Sequence, residues 1–108
     1  MNRGEVYRLA PPPGGDPKRS RCYVVVSRQT LLDSRADKVI CAPVHSAFVG
    51  LETQVPVGAD EGLKHASCVH GDQLVLIEKG RLLNYVGSLT PAKLRALRHA
   101  LRVALDVE

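Results

Sequence analysis

Only one stretch of this chain carries a helix signature, and it comes last. Thr90 suits an N-cap, Pro91 the first helical position, and Leu94, Leu97, Leu101, Ala104 and Leu105 recur at helical spacing. The other face of that helix holds Lys93, Arg95, Arg98, His99 and Arg102, which read as a solvated surface. Everything upstream is short. Residues 4–9 read as a first strand, and residues 22–28 (CYVVVSR) and 38–44 (KVICAPV) are β-branched runs, the second closed by Pro43. Residues 51–57 (LETQVPV) alternate weakly, residues 67–77 form one further apolar stretch, and residues 82–86 a last short one. Residues 10–20 (APPPGGDPKRS) cannot join them, because prolines lack amide donors and glycines resist fixed dihedrals, so they form a long exposed loop. Five or six strands followed by one amphipathic helix predict a mostly β fold, a small antiparallel barrel or sandwich capped by that helix.

At 108 residues there is room for one domain, spanning 1–108. With 44% hydrophobic and 24% charged residues, the chain is neither disordered, collagenous nor a disulfide framework. No apolar run approaches the roughly 20 residues of a membrane span, and the first ten residues lack a signal-peptide centre, which points to the cytoplasm. Cys22, Cys41 and Cys68 are odd in number and widely spaced, as expected of reduced thiols. The net charge of +4 is unevenly placed: residues 1–38 hold eight Lys and Arg against four Asp and Glu, while residues 39–108 hold seven against seven. A basic first third favours a polyanionic partner. The four aromatics, Tyr7, Tyr23, Phe48 and Tyr85, are too few for a base-stacking platform, so phosphate contacts must dominate.

Several kinds of chemistry lack their motifs. There is no phosphate-cradling glycine loop followed by Lys-Ser/Thr, no G-x-S-x-G and no H-E-x-x-H. Cys41, His45, Cys68 and His70 are zinc-type ligands, but on a strand residues 41 and 45 lie about 13 Å apart, which argues against a shared metal. What remains is a set of polar residues at strand ends and in the basic loop: Asp16, Lys18, Arg19, Arg21, His45, Ser46, His70, Asp72 and Gln73. Arg21 directly precedes an apolar strand, so the fold fixes its base and leaves the guanidinium free to meet an anion. Extended backbone from residue 67 would put His70 and Asp72 on one face. Each residue alone is a weak signal, and a lone histidine at a strand end is more often a surface or satisfied residue than a catalyst.

Taken in order, these residues resemble the MazF/PemK (Kid-like) family of toxins. The opening Gly4-Glu5-Val6-Tyr7 is similar to the family's first strand, and Gly14 to Asp16 followed by Arg21 and Tyr23-Val24-Val25-Val26-Ser27 resembles its loop with an acid and an arginine ahead of the second strand. VICAPVHS at 39–46, residues 67–73 with Arg81-Leu82, and VGSLTPA at 86–92 continue the match to about residue 105. The resemblance implies an SH3-like barrel, acting as a homodimer without cofactor or metal, that cleaves single-stranded RNA and is silenced by a MazE-type antitoxin. It assigns Arg21 and Asp16 to the family's catalytic arginine and loop acid. His45 stands where the family usually has a catalytic threonine, with Ser46 matching the residue after it. Cys22 replaces a proline and Pro17 a glutamine. His70, Asp72 and Gln73 become candidates for catalysis or substrate binding, and Lys18, Arg19 and Arg28 for RNA contact, with the 10–20 loop over the RNA groove. His45, with an unperturbed pKa near 6.5, suits proton transfer as acid or base. Two other readings fit the same fold: a non-enzymatic toxin that poisons a protein target, as CcdB proteins do, and a barrel that binds RNA without cleaving it.

Overall fold

The computed structural model describes residues 1–11, 14–15 and 20–108. In chain order it contains β1 (Glu5–Leu9), β2 (Arg21–Val25), a single helical turn α1 (Gln29–Leu32), β3 (Lys38–His45), β4 (Gln54–Val57), β5 (Ser67–His70), β6 (Val75–Glu78), β7 (Asn84–Ser88) and α2 (Pro91–Leu105). One antiparallel sheet of seven strands runs β4-β5-β3-β2-β1-β7, with β6 added to β3, and curls into a half-barrel beside α2. The expected mostly β architecture with a C-terminal helix is the one observed.

β3 organises the sheet because it is long enough to serve two partners on one side. Its first half, Lys38 to Cys41, pairs with β6, and its end, Val44 and His45, pairs with β5. Pro43 sits in the gap between those two pairings, opposite Tyr23 of β2, where its missing N–H removes no rung on the β5/β6 side. Successive residues point to opposite faces, and both faces are covered. Val24, Ala42 and Val44 join Val6, Val55, Val69, Leu97 and Ala100 in one core. Val25, Val39 and Cys41 join Tyr7, Leu9, Leu32, Ile77 and Leu82 in the other. This double burial is why residues 22–26 read as a continuous apolar run rather than an alternating one.

The structure departs from the sequence expectation at several points. Residues 67–77 are two strands separated by a turn at 71–74, because Gly71 leaves the strand to donate its N–H to Thr53 O at 2.8 Å. Among the described residues the sheet therefore has seven strands, not five or six. β2 stops at Val25, where the N–H groups of Val26 and Ser27 both reach Ile40 O and Ser27 Oγ accepts from Ile40 N at 2.7 Å, a side chain replacing a ladder rung. α2 is capped as expected by Thr90, whose Oγ1 accepts from Lys93 N, and it buries Leu97 and Ala100, but Leu105 stands exposed beyond the core. Among the described residues no helix is long and apolar enough to cross a membrane.

The curl is held where backbone meets backbone. The short 3₁₀ turn Ala59–Glu61, braced by Glu61 Oε1 accepting from Gly58 N at 3.0 Å, lies directly on β7. A Cβ on Gly87 would collide with the Glu61 carbonyl, and one on Gly62, whose φ is +87°, with the Val86 carbonyl. Neither neighbour is a flexible side-chain end that could give way. Gly87→Ala is expected to destabilise the fold by about 1–3 kcal/mol. Thermal unfolding checks this, since each kcal/mol moves the Tm of a chain this size by about 4–8 °C.

Candidate active site

Antiparallel register brings the site together. Cys22 pairs with Val44, so the preceding residue of β2, Arg21, lies beside the following residue of β3, His45. The Arg21 guanidinium reaches His45 Nδ1 at 3.2 Å, and on the far side of the ring His45 Nε2 meets Gln73 Oε1 at 3.2 Å. These contacts settle the tautomer. A guanidinium only donates, so Nδ1 carries the lone pair and Nε2 carries the hydrogen it gives to Gln73. Arg21 and Gln73 are exposed and His45 is half-buried. Behind them, the buried ring of His70 meets His45 edge-on at a centroid distance of 4.9 Å.

The electrostatics favour neutral imidazole. Partial burial of His45 holds its pKa below the usual 6.5, the charge of Arg21 and protonation of His70 push the same way, and the Gln73 bond opposes them. The thiols offer no nucleophile: burial pushes Cys22 up and Cys41 to about 12, and all three cysteines are buried and unpaired with one another. Among the described residues no group of three or more His, Cys, Asp or Glu is placed to hold a metal ion. Cys41 lies in the core that includes Ile77 and Leu82, away from His45.

Beside Arg21 opens a groove of about 460 Å³ lined by Arg8, Ser20, Arg21, Lys64, His65 and Ser67 over a floor of Cys22, Val44 and Leu63. Among the described residues its charged lining is entirely basic. A cleft of one sign attracts polyanions and places their phosphates against the guanidinium at its end.

Residues 2–105 match the sequence profile of the PemK-like, MazF-like toxins of type II toxin-antitoxin systems. The chain belongs to that family. Among solved structures it is similar to the Mycobacterium tuberculosis toxin MazF-mt6, with 25% identity and a TM-score of 0.81 over 96% of this chain and 98% of that one. A mycobacterial endoribonuclease in complex with its cognate antitoxin shares the fold at a TM-score of 0.84 and 24% identity, covering 100% of this chain and 97% of that one. MazE-MazF from Deinococcus radiodurans shares it at 0.77 and 19%, again over 100% and 97%.

In this MazF-like toxin the residues expected to act are only partly gathered. Arg21, His45 and Gln73 are in contact, His70 packs behind them, and Ser46 follows His45 as an exposed residue. Asp72 is not aligned with His70 on one face: it lies in the turn after β5 and accepts from Thr53 Oγ1, one step removed from the imidazole. Arg28 is exposed but sits past the opposite end of β2 from Arg21, at the start of α1. Asp16, Lys18 and Arg19 lie outside the described residues. Arg8, Lys64 and His65 were not singled out from the sequence. Arg8 enters the groove through the β1 register, opposite Cys22, and nothing local marks the loop bearing the other two.

Proposed function

We propose that this toxin is an endoribonuclease that cleaves single-stranded RNA at short sequences, by attack of the ribose 2′-hydroxyl on the adjacent phosphate and without a metal ion. The observation that carries this reading is the 3.2 Å contact between Arg21 and His45 beside a groove whose charged lining, among the described residues, is basic. A phosphate entering the groove competes for the guanidinium, whose planar fork matches phosphate oxygens better than one imidazole nitrogen. As Arg21 turns to the phosphate, the Nδ1 lone pair is released in the presence of substrate. His45 then takes the 2′-hydroxyl proton, the O2′–P bond forms, and Arg21 stabilises the charge on the nonbridging oxygens. The P–O5′ bond breaks and the 5′-oxygen leaves with a proton supplied from the solvent side, where the exposed Ser46 hydroxyl stands. The products are a 2′,3′-cyclic phosphate and a 5′-hydroxyl.

Asp16 is assigned to the same site as the loop acid, Lys18 and Arg19 to the RNA backbone, and Asp72 to holding the Gln73 turn through Thr53. Arg28, at the far end of β2, fits only an RNA path extending well beyond the cleft. The toxin acts in the cytoplasm as a homodimer and is silenced by a MazE-type antitoxin, in keeping with the complexes of its mycobacterial and Deinococcus relatives.

Purified protein is expected to cut a mixed-sequence single-stranded RNA and leave the DNA of the same sequence intact, and equal cleavage of both would overturn the proposal. Binding should be strongly salt-dependent. If Arg8, Arg21 and Lys64 each neutralise one phosphate, raising salt from about 0.05 to 0.2 M weakens RNA binding roughly twentyfold. Affinity measured by fluorescence anisotropy across that range gives the slope.

A further inference from the structure

His70 takes no part in those steps, yet it lies directly behind the base. It ends β5 with only 6% of its surface exposed, and its Nε2 is enclosed with no hydrogen-bond partner among the described residues. Buried polar atoms are nearly always satisfied, so this orphan calls for a reason. The opposite ring nitrogen is fixed from β4. Gln54 Oε1 accepts from the backbone N–H of Val49 at 3.1 Å and of Leu51 at 3.4 Å, which turns the amide nitrogen toward His70 Nδ1 at 3.5 Å. An amide nitrogen only donates, so His70 Nδ1 accepts and the ring hydrogen lies on the enclosed Nε2. The ring so fixed meets the His45 imidazole at an interplanar angle of 63°.

We propose that His70 is a positioning residue for His45: locked by Gln54, its buried ring props the His45 imidazole with Nδ1 toward Arg21 and Nε2–H toward Gln73. The inference rests on the reading of His45 as the base. A side chain of matching size could fill the space, but an imidazole adds a second effect. Burial lowers the proton affinity of His45 most, and the neighbouring His70 imidazole lowers it further. The groups facing the pair are Arg21 from β2, Gln73 from the turn after β5 and the uncharged Gln54 from β4, while Asp72 in that turn is engaged by Thr53. His70 is thus the group through which the core sets both the orientation and the proton affinity of His45.

The test is an NMR pH titration of the His45 ring signals in the full chain, for the wild type, His70→Asn and His70→Gln, alongside the pH profile of RNA cleavage. Asn Oδ1 can replace Nδ1 as acceptor for Gln54, so H70N keeps the lock and removes only the second imidazole. The wild-type His45 signals are expected to titrate with a midpoint below 6.5. In H70N and H70Q that midpoint should rise by about 0.5 pH unit or more, with the acid limb of the cleavage profile moving the same way. A folded variant whose His45 midpoint and cleavage profile match the wild type would overturn the proposal. Nitrogen-15 shifts of the wild-type rings decide the matter even if both variants fail to fold: neutral His45 and His70 should each carry the ring hydrogen on Nε2, and a hydrogen on Nδ1 of either would overturn the arrangement. Wild-type protein inert on RNA would overturn the nuclease reading, and a raised His45 midpoint in H70N would still support the positioning role.

Discussion

Arg21→Ala should lower RNA cleavage by about 10²–10³-fold while leaving the fold intact. The loss is large because the guanidinium acts where negative charge accumulates on phosphorus, and removing one such preorganised donor costs about 3–4 kcal/mol of transition-state stabilisation. The fold survives because Arg21 is exposed and, among the described residues, its side chain hydrogen-bonds only to His45. A surface change of this kind moves stability by about 0.5 kcal/mol or less. Arg21→Lys sharpens the point, since it keeps the charge and loses the fork, and should recover only part of the activity. Single-turnover cleavage rates and thermal unfolding of the two variants separate catalysis from folding. Wild-type rates in folded R21A would remove the guanidinium from the mechanism.

His45→Ala is expected to cost about 10²–10⁴-fold, the usual worth of a positioned general base. Its signature is the pH profile. The base form of His45 must be present for the 2′-proton to be taken, and burial with neighbouring positive charge holds its pKa below 6.5. Wild-type activity should therefore climb as pH rises through a midpoint on the acid side of 6.5 and level off above it. In H45A that limb disappears and the residual rate is flat across the same window. A folded H45A protein that keeps the wild-type limb would assign the titration to another group.

How far the sequence revealed this site follows from what local patterns encode. The helix was legible in full at its start, since Thr90, Pro91 and the leucine spacing act within a few residues of one another, and capping and burial obey the same local rules. The strands from 21 and from 38 were legible because both faces of the sheet are buried and demand β-branched side chains. The turn that divides residues 67–77 was not, because Gly71 turns there to meet Thr53 O, a contact made across strands. Arg21 and His45 were both singled out, one from its place before an apolar run and the other as a strand end. Their contact depends on the Cys22–Val44 register, which no single segment records. Asp72 was misplaced for the related reason that period-2 reasoning was carried two residues past the end of β5. Lys64 and His65 enter the site from a loop whose position is set by the packing of the 3₁₀ turn on β7, far from any motif.

The curled sheet thus places one cation against one imidazole beside a basic cleft. The most direct measurement is the chemistry of the fragment ends after incubating a mixed-sequence RNA with purified wild-type protein in excess EDTA. Fragments bearing 2′,3′-cyclic phosphate and 5′-hydroxyl ends are expected, as attack by the neighbouring ribose requires. Fragments ending in 3′-hydroxyl and 5′-phosphate, or cleavage that stops when EDTA is added, would contradict it.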